Sequence, residues 1–174
     1  GRVPTMTTGK TIDSEELTTE FALGIIAGEG SFYVTFAKDD RRRFGVTPGA
    51  RFQIQMGQFS EPLLRALREY FDLGSVTEHA KGFHWTVSSR AECHALHDHI
   101  ETHLSAHDSM FEATSKVDAY RRWQEALSIL RPGVQLTEDD LLELARLRGS
   151  INRMPNERAR SSEELIELIE NADD

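Results

Sequence analysis

The chain has 174 residues, a formal net charge of -9 and one cysteine, Cys93. This length suits one domain with its own core, and the lone cysteine excludes an internal disulfide and a cysteine-built zinc site. Because no apolar run approaches the roughly 18 to 20 residues that cross a bilayer, we expect a soluble cytoplasmic protein with no membrane partner.

The predicted elements begin with one apolar helix and two strands. Residues 1–13 have no apolar period, and we expect a flexible N-terminal tail there. A helix is predicted from near Ser14 to Gly28. Residues 31–38 and 50–56 then alternate apolar and polar side chains, which predicts two strands that each bury one face.

Residues 60–74 predict a helix, with proline in its first turn and glycine after its end. A hairpin is predicted around Ala80, Lys81 and Gly82. Four further helices are predicted, over residues 91–104, 115–130, 136–152 and 161–171.

This order of elements predicts an α+β fold, a four-stranded antiparallel sheet with helices on one face. We expect a single domain over residues 14–174. It would consist of a core over 14–130 and a C-terminal helical extension over 131–174.

One face of the predicted sheet carries hydrogen-bonding side chains. They are Tyr33, Thr35, Arg51, Gln53, Gln55, Thr77, His79, His84 and Thr86. A face that is only solvated usually collects Lys and Glu, whereas these side chains can contact base edges and phosphates. The pattern favours DNA or RNA binding, with an ordinary wet face as the alternative.

The charge is distributed unevenly, and the middle of the chain is basic. Residues 38–90 hold nine Lys and Arg against six Asp and Glu, whereas residues 91–174 hold nine against eighteen. A nucleic-acid footprint should therefore lie in the middle segment. Its candidate phosphate contacts are Arg41, Arg42, Arg43 and Lys81.

The first helix ends on Gly28, Glu29 and Gly30. Gly24 and Gly28 are four residues apart and share a helix face with Ala27 beside them, a pattern that favours close approach of another helix. If that helix belongs to a second subunit, two copies of Glu29 meet at the two-fold axis. Such carboxylates could hold Mg2+ against a phosphodiester, and the alternative is a Glu29 that only caps a turn in solvent.

The segment ALGIIAGEGSF, residues 22–32, resembles the motif of LAGLIDADG homing endonucleases, and the resemblance covers nearly the whole chain. Residues 51–76 resemble the family's second strand, second helix and the start of its third strand. Residues 115–123 resemble its lysine-containing segment, and residues 136–152 resemble its C-terminal helix.

The resemblance implies an αββαββα fold whose saddle-shaped sheet binds double-stranded DNA. Since only one motif is present, it also implies a homodimer through the motif helix, cutting a nearly palindromic site. Glu29, with the adjacent Gly28, would hold Mg2+, for which Mn2+ or Ca2+ could substitute. Lys116 would lie near the scissile phosphate. The gene would belong to a mobile intron or intein, or be free-standing.

The sequence departs from the family pattern at two positions. Ala27 replaces a usual Asp that is not the metal ligand. Met56 lies at the end of the second strand, where many members place a glutamine that orients the attacking water, and Gln55 or Gln58 could substitute. His107 is a rival to Lys116 for the pocket beside the phosphate.

Two other interpretations remain open. Met56 favours a relative that binds DNA or intron RNA without cutting it, such as a maturase or a regulator. Alternatively, the spacing of His99, His103 and His107 allows a helical zinc site in a protein unrelated to nucleic acid.

Overall fold

The structure, a computed structural model, describes residues 11–151 and 161–172. The helices are α1 Thr19–Glu29, α2 Glu61–Phe71, α3 Arg90–Ala106, α4 Lys116–Ile129, α5 Glu138–Ile151 and α6 Ser162–Asn171. The strands are β1 Gly30–Lys38, β2 Val46–Met56, β3 Ser75–His79 and β4 Gly82–Val87. The predicted tail lies mostly outside the described residues, as does the connection between α5 and α6.

The first helix begins at Thr19, so the predicted start near Ser14 is wrong. Ser14–Glu16 form a separate 3-10 turn, and the chain is extended at Leu17 and Thr18. The side chain of Thr18 accepts a hydrogen bond from the Phe21 N–H at 3.1 Å and so caps α1. Asp13 caps the 3-10 turn and Thr18 caps α1, so the segment forms two separate helical elements instead of one.

The four strands form one antiparallel sheet in the order β1-β2-β4-β3. One face of the sheet lies under the helices. The core beneath that face contains Phe52, Trp85, Tyr120 and Trp123, all fully buried. The predicted α+β architecture is therefore confirmed.

The C-terminal helices pack on the end of the β1–β2 hairpin where the turn joins the two strands. Val46, Ala145 and Leu165 form a second buried cluster, against which Phe36 and Phe44 also pack. Helix α5 thus joins the residues after 130 to the sheet. In the described ranges, no helix is both long and apolar enough to cross a membrane.

Candidate nucleic-acid and metal site

The polar side chains predicted to share a face do so. The strand register places Tyr33 opposite Arg51, and Gln53 opposite Thr86. In the next row Gln55 faces His84, which in turn faces Thr77. All nine residues of this polar face are exposed or half-buried, while their neighbours along β1, β2 and β4 are buried, except the half-buried Phe36 and Met56.

The same alternation adds three residues that the sequence interpretation missed. Ser31 pairs with Gln53 and Ser75 pairs with Thr86, so both lie on the polar face. Thr47 lies there too, near the start of β2. The period of two residues already contained this signal, since each lies two or four positions from a residue on the polar face.

Glu29 is the last residue of α1, and its side chain is exposed. A carboxylate at this position adds to the negative end of the helix dipole. Within the described residues it forms no salt bridge. The Gly28 carbonyl lies in the final turn, where carbonyls have no partner within the helix. This helix end therefore offers hard oxygen atoms that suit a divalent cation.

The need for glycine differs among Gly24, Gly28 and Gly30. A Cβ on Gly30 would lie 2.7 Å from the Ile26 carbonyl oxygen, so the sharp passage from helix to strand requires glycine there. A Cβ on Gly24 or Gly28 would meet nothing within 4 Å. The packing among the described residues therefore does not explain Gly24 or Gly28.

The outer side of α1 is apolar, and no residue in the described part of the chain covers it. Phe21 is 53% exposed and lies on the same side as Gly24 and Gly28. The inner side carries the fully buried Ala22, Leu23 and Ile26, and Ala27 is half-buried against the core. An apolar helix is ordinarily covered on all sides, so this side suits a protein partner.

Lys116 contacts Gly30, the residue that follows Glu29. Its Nζ donates a hydrogen bond to the Gly30 carbonyl oxygen at 2.5 Å, across 86 residues of sequence. Its ammonium group therefore stands at the negative end of the α1 dipole.

His107 lies near the other end of α1. Its ring is 4.9 Å from that of His103, whose Nε2 is 2.7 Å from Glu20. Glu20 and Glu29 are nine residues apart on the helix, about 13 Å at 1.5 Å per residue. The structure thus places Lys116, and not His107, at the Glu29 end.

Gln55 and Met56 point to different environments. Gly30 pairs with Ile54 in the antiparallel register. Glu29 precedes Gly30 and Gln55 follows Ile54, so both lie at the same end of the sheet. Gln55 is exposed on the polar face, whereas Met56 packs against the core. Gln58 is exposed in the 3-10 turn after β2. Of the two glutamines, Gln55 is the one on the polar face at this end.

The arginine loop, residues 39–45, lies at the opposite end of the sheet from Glu29. We call the end at the arginine loop the outer end of the sheet and the end at Glu29 the inner end. β1 has nine residues, which corresponds to about 30 Å. Arg41 is 90% exposed and bonds to Asp39 at 2.9 Å, and Arg42 lies 3.7 Å from the same carboxylate. The hydrogen bond from Arg41 lowers the pKa of Asp39. Arg43 stacks over Phe44. Lys81, in contrast, is exposed in the turn between β3 and β4, at the Glu29 end of the sheet.

The histidines of α3 hold helices together. His99 contacts Thr19, which also bonds to Tyr70, and burial lowers the pKa of His99. His94 contacts the Leu130 carbonyl, and His97 contacts Gln124. Residues 11–151 and 161–172 contain no group of three His, Cys, Asp or Glu side chains placed to hold a metal ion. This arrangement does not support the zinc interpretation.

Comparison with known proteins identifies relatives of this fold. The sequence model of the LAGLIDADG endonuclease family matches residues 22–127. A probable intron-encoded endonuclease 2 from Neurospora crassa is 26% identical over 141 residues, which is 78% of this chain and 29% of that protein. The chain thus spans under a third of this curated relative.

Solved structures resemble nearly the whole chain. The homing endonuclease I-TnaI superposes with a TM-score of 0.71 at 20% identity, over 92% of this chain and 99% of that one. The meganuclease I-CpaMI, bound to uncleaved DNA, gives a TM-score of 0.71 at 21% identity, over 91% of this chain and 50% of that one. An archaeal intron-encoded homing endonuclease complexed with DNA gives 0.69 at 20% identity, over 88% and 94%. At these identities the likeness demonstrates a shared fold.

Proposed function

The chain belongs to the LAGLIDADG endonuclease family, and on that premise we propose that it is a sequence-specific homing endonuclease that cuts double-stranded DNA. It acts as a homodimer, with a divalent cation, on a nearly palindromic site. The observation that carries the proposal is the exposed Glu29 at one end of the polar sheet face, followed directly by Gly30, whose carbonyl Lys116 contacts. Residues 14–174 act as one unit, encoded in an intron or intein or by a free-standing gene.

The polar face supports DNA binding by its composition and its uncovered position. Arg51 and Gln53 can form paired hydrogen bonds with base edges, as Arg does with guanine and Gln with adenine. The arginine loop supplies positive charge at the outer end and Lys81 supplies it at the inner end. Phosphate contacts by these groups would overcome the net negative charge of the chain.

The Glu29 end of the sheet supports hydrolysis. Glu29 and the Gly28 carbonyl would hold Mg2+, for which Mn2+ or Ca2+ could substitute. When bound there, the cation would polarise the phosphodiester and offset the charge that builds on it. The Lys116 ammonium group would stabilise the same negative charge, and Gln55 would orient a water molecule by hydrogen bonds from its amide.

The outer side of α1 supports a homodimer. One chain contributes a single Glu29, so two active ends require a second copy. The open space over Gly24 and Gly28 would let two α1 helices approach closely. The chain matches almost all of I-TnaI and half of I-CpaMI, which is the proportion expected of a unit that works in pairs.

Cleavage of a library of plasmids carrying random inserts, in Mg2+, tests the proposal. We expect a discrete set of linearised plasmids from the wild-type chain and none from Glu29→Gln, which should still bind. Glu125→Gln, which removes an exposed carboxylate on α4, is the matched control and should cut normally. Equal cutting by Glu29→Gln would refute the assigned role of Glu29.

The second candidate is a relative that binds DNA or intron RNA without cutting. It is favoured by Met56, which packs against the core and places no amide at the end of β2. Binding without nicking in Mg2+ and in Mn2+ would select this function. Failure to bind either nucleic acid at moderate salt would reject both.

A further inference from the structure

Two histidine rings are stacked on the polar face. His79 and His84 lie on β3 and β4, with ring centroids 3.9 Å apart and planes at 26°. The direct partner of His79 is Gly82, which has no side chain to separate the two rings. A Cβ on Gly82 would lie 2.1 Å from the Met56 carbonyl oxygen, so the backbone there requires glycine.

This histidine pair lies at the inner end of the sheet. His84 faces Gln55 across β2 and β4, in the row that leads to Glu29. Strands are spaced by about 4.8 Å, which puts Glu29 about 10 Å from His84 along that row. The pair would therefore stand beside the proposed cleavage centre.

The hydrogen bonds of the pair are incomplete. The Nε2 atoms of His79 and His84 are both shielded from solvent and have no hydrogen-bond partner among the described residues. The other such side-chain atom is Trp123 Nε1, which lies in the core. A buried polar atom without a partner is unfavourable, so two of them on the polar face suit a ligand that brings hydrogen-bond partners.

The tautomer of His79 follows from the hairpin turn. The Lys81 N–H donates to His79 Nδ1 at 3.3 Å, so Nδ1 carries the lone pair. In the neutral ring the hydrogen then lies on Nε2, which becomes a donor in need of an acceptor. Burial, together with the neighbouring His79, lowers the pKa of His84, and this favours a neutral ring before the ligand binds.

The described residues that face the pair include no anion to stabilise a proton on His84. Gln55 on β2 is uncharged, and Lys81 in the turn is cationic. Glu78 of β3 is opposite the buried Phe83 and so belongs to the other face, and the 3-10 turn Gln58–Ser60 has no titratable group. Glu29 is the carboxylate at the end of this row, two strands away. Neither Nε2 atom has an acceptor among the described residues, and a docked phosphate can supply one to both.

We infer that His79 and His84 form one proton-coupled binding site for a backbone phosphate of duplex DNA, in which a small movement of the two half-buried side chains brings their shielded Nε2 atoms to the phosphate oxygens. His79 donates from Nε2 as a neutral ring. His84 takes up a proton as the phosphate docks, and the stacked neutral ring of His79 and the phosphate oxygen stabilise the resulting cation. This inference rests on the proposed DNA-binding function.

Fluorescence anisotropy with a mixed-sequence duplex, in a buffer without divalent cations and at fixed salt, tests the site between about pH 5.5 and 8. We expect wild-type affinity to fall as pH rises, by up to about tenfold per pH unit for one coupled proton. His84→Gln should remove this component of the pH dependence. His79→Gln should weaken binding at every pH.

His107→Gln is the matched control, because His107 is exposed and lies at the other end of α1. It should keep the wild-type pH dependence. Calorimetry of the wild-type chain in buffers with different heats of ionisation gives a second measurement that needs no variant, and should detect proton uptake on binding. Wild-type pH dependence in His84→Gln, or no proton uptake, would overturn the inference and leave DNA binding intact. Failure of the wild-type chain to bind at any pH would overturn the proposed function and the inference with it.

Discussion

Gly24→Ala is expected to change monomer stability and dimer affinity in opposite directions. Gly24 is the sixth residue of the 11-residue helix α1, and a Cβ there meets nothing within 4 Å among the described residues. Glycine inside a helix is about 1 kcal/mol less favourable than alanine. The substitution should therefore stabilise the isolated chain by up to about 1 kcal/mol, which raises Tm by about 2 to 4 °C for a domain of this size.

The same methyl group should weaken the proposed homodimer. At the proposed two-fold axis both copies would carry it, so it would separate two helices that we propose to approach through glycine. A loss of about 1.4 kcal/mol, or about tenfold in the dimer dissociation constant, is expected. Sedimentation velocity over a concentration series measures that constant. Circular dichroism melts at concentrations below it measure the monomer.

Ser105→Ala is the control, since Ser105 is exposed on α3 and away from the outer side of α1. It should raise Tm slightly, through helix propensity, and leave the dimer unchanged. A dissociation constant for Gly24→Ala equal to that of the wild type would refute the α1 interface. A lower monomer Tm would refute the assignment of open space around Gly24.

Three further predictions concern the outer loop, one tether and the core. Replacing the three arginines of the arginine loop by glutamine should weaken binding to all DNA sequences. It should also reduce the slope of log K against log salt by about 0.9 for each phosphate that the loop no longer neutralises. Arg65→Gln, on α2, is the control in this salt titration, and an unchanged slope in the triple variant would show that the loop does not contact the DNA. The hydrogen bonds from His103, Met110 and Ser109 lower the pKa of Glu20 below its ordinary value of 4.5, so its stabilising effect is present above that pH and is lost as pH falls through the folded value. Glu20→Gln should accordingly lower Tm at neutral pH, by an amount that shrinks in melts below about pH 4, and a pH-independent difference would contradict this. Trp123→Phe should lower the free energy of unfolding in urea by about 1 kcal/mol or less, because the buried indole N–H has no partner in the described part of the chain. Trp123→Ala should lower it by about 3 to 5 kcal/mol. Equal losses in the two variants would show that the N–H has a hydrogen-bond partner.

Local pattern was sufficient for the fold class and for the polar face. The alternation in β1 and β2 places Tyr33 and Gln53 on one face, because successive side chains of a strand point to opposite sides. The punctuation of α2 by Pro62 and Gly74 likewise predicted a helix that the structure contains. The helix boundary at Thr19 was missed. Asp13 and Thr18 can each cap a helix start, and only the folded chain shows that α1 begins after Thr18.

The sequence by itself determined which residue types lie on each face of each element, since that depends on neighbours a few positions away. The tertiary structure alone decided which distant groups meet: Lys116 with the Gly30 carbonyl, His103 with Glu20, and His79 stacked on His84. It also separated Gly30, which the chain's own backbone requires, from Gly24, which it does not. The physical reason is that periodicity is local, whereas a contact across 86 residues depends on the path of every element between its ends.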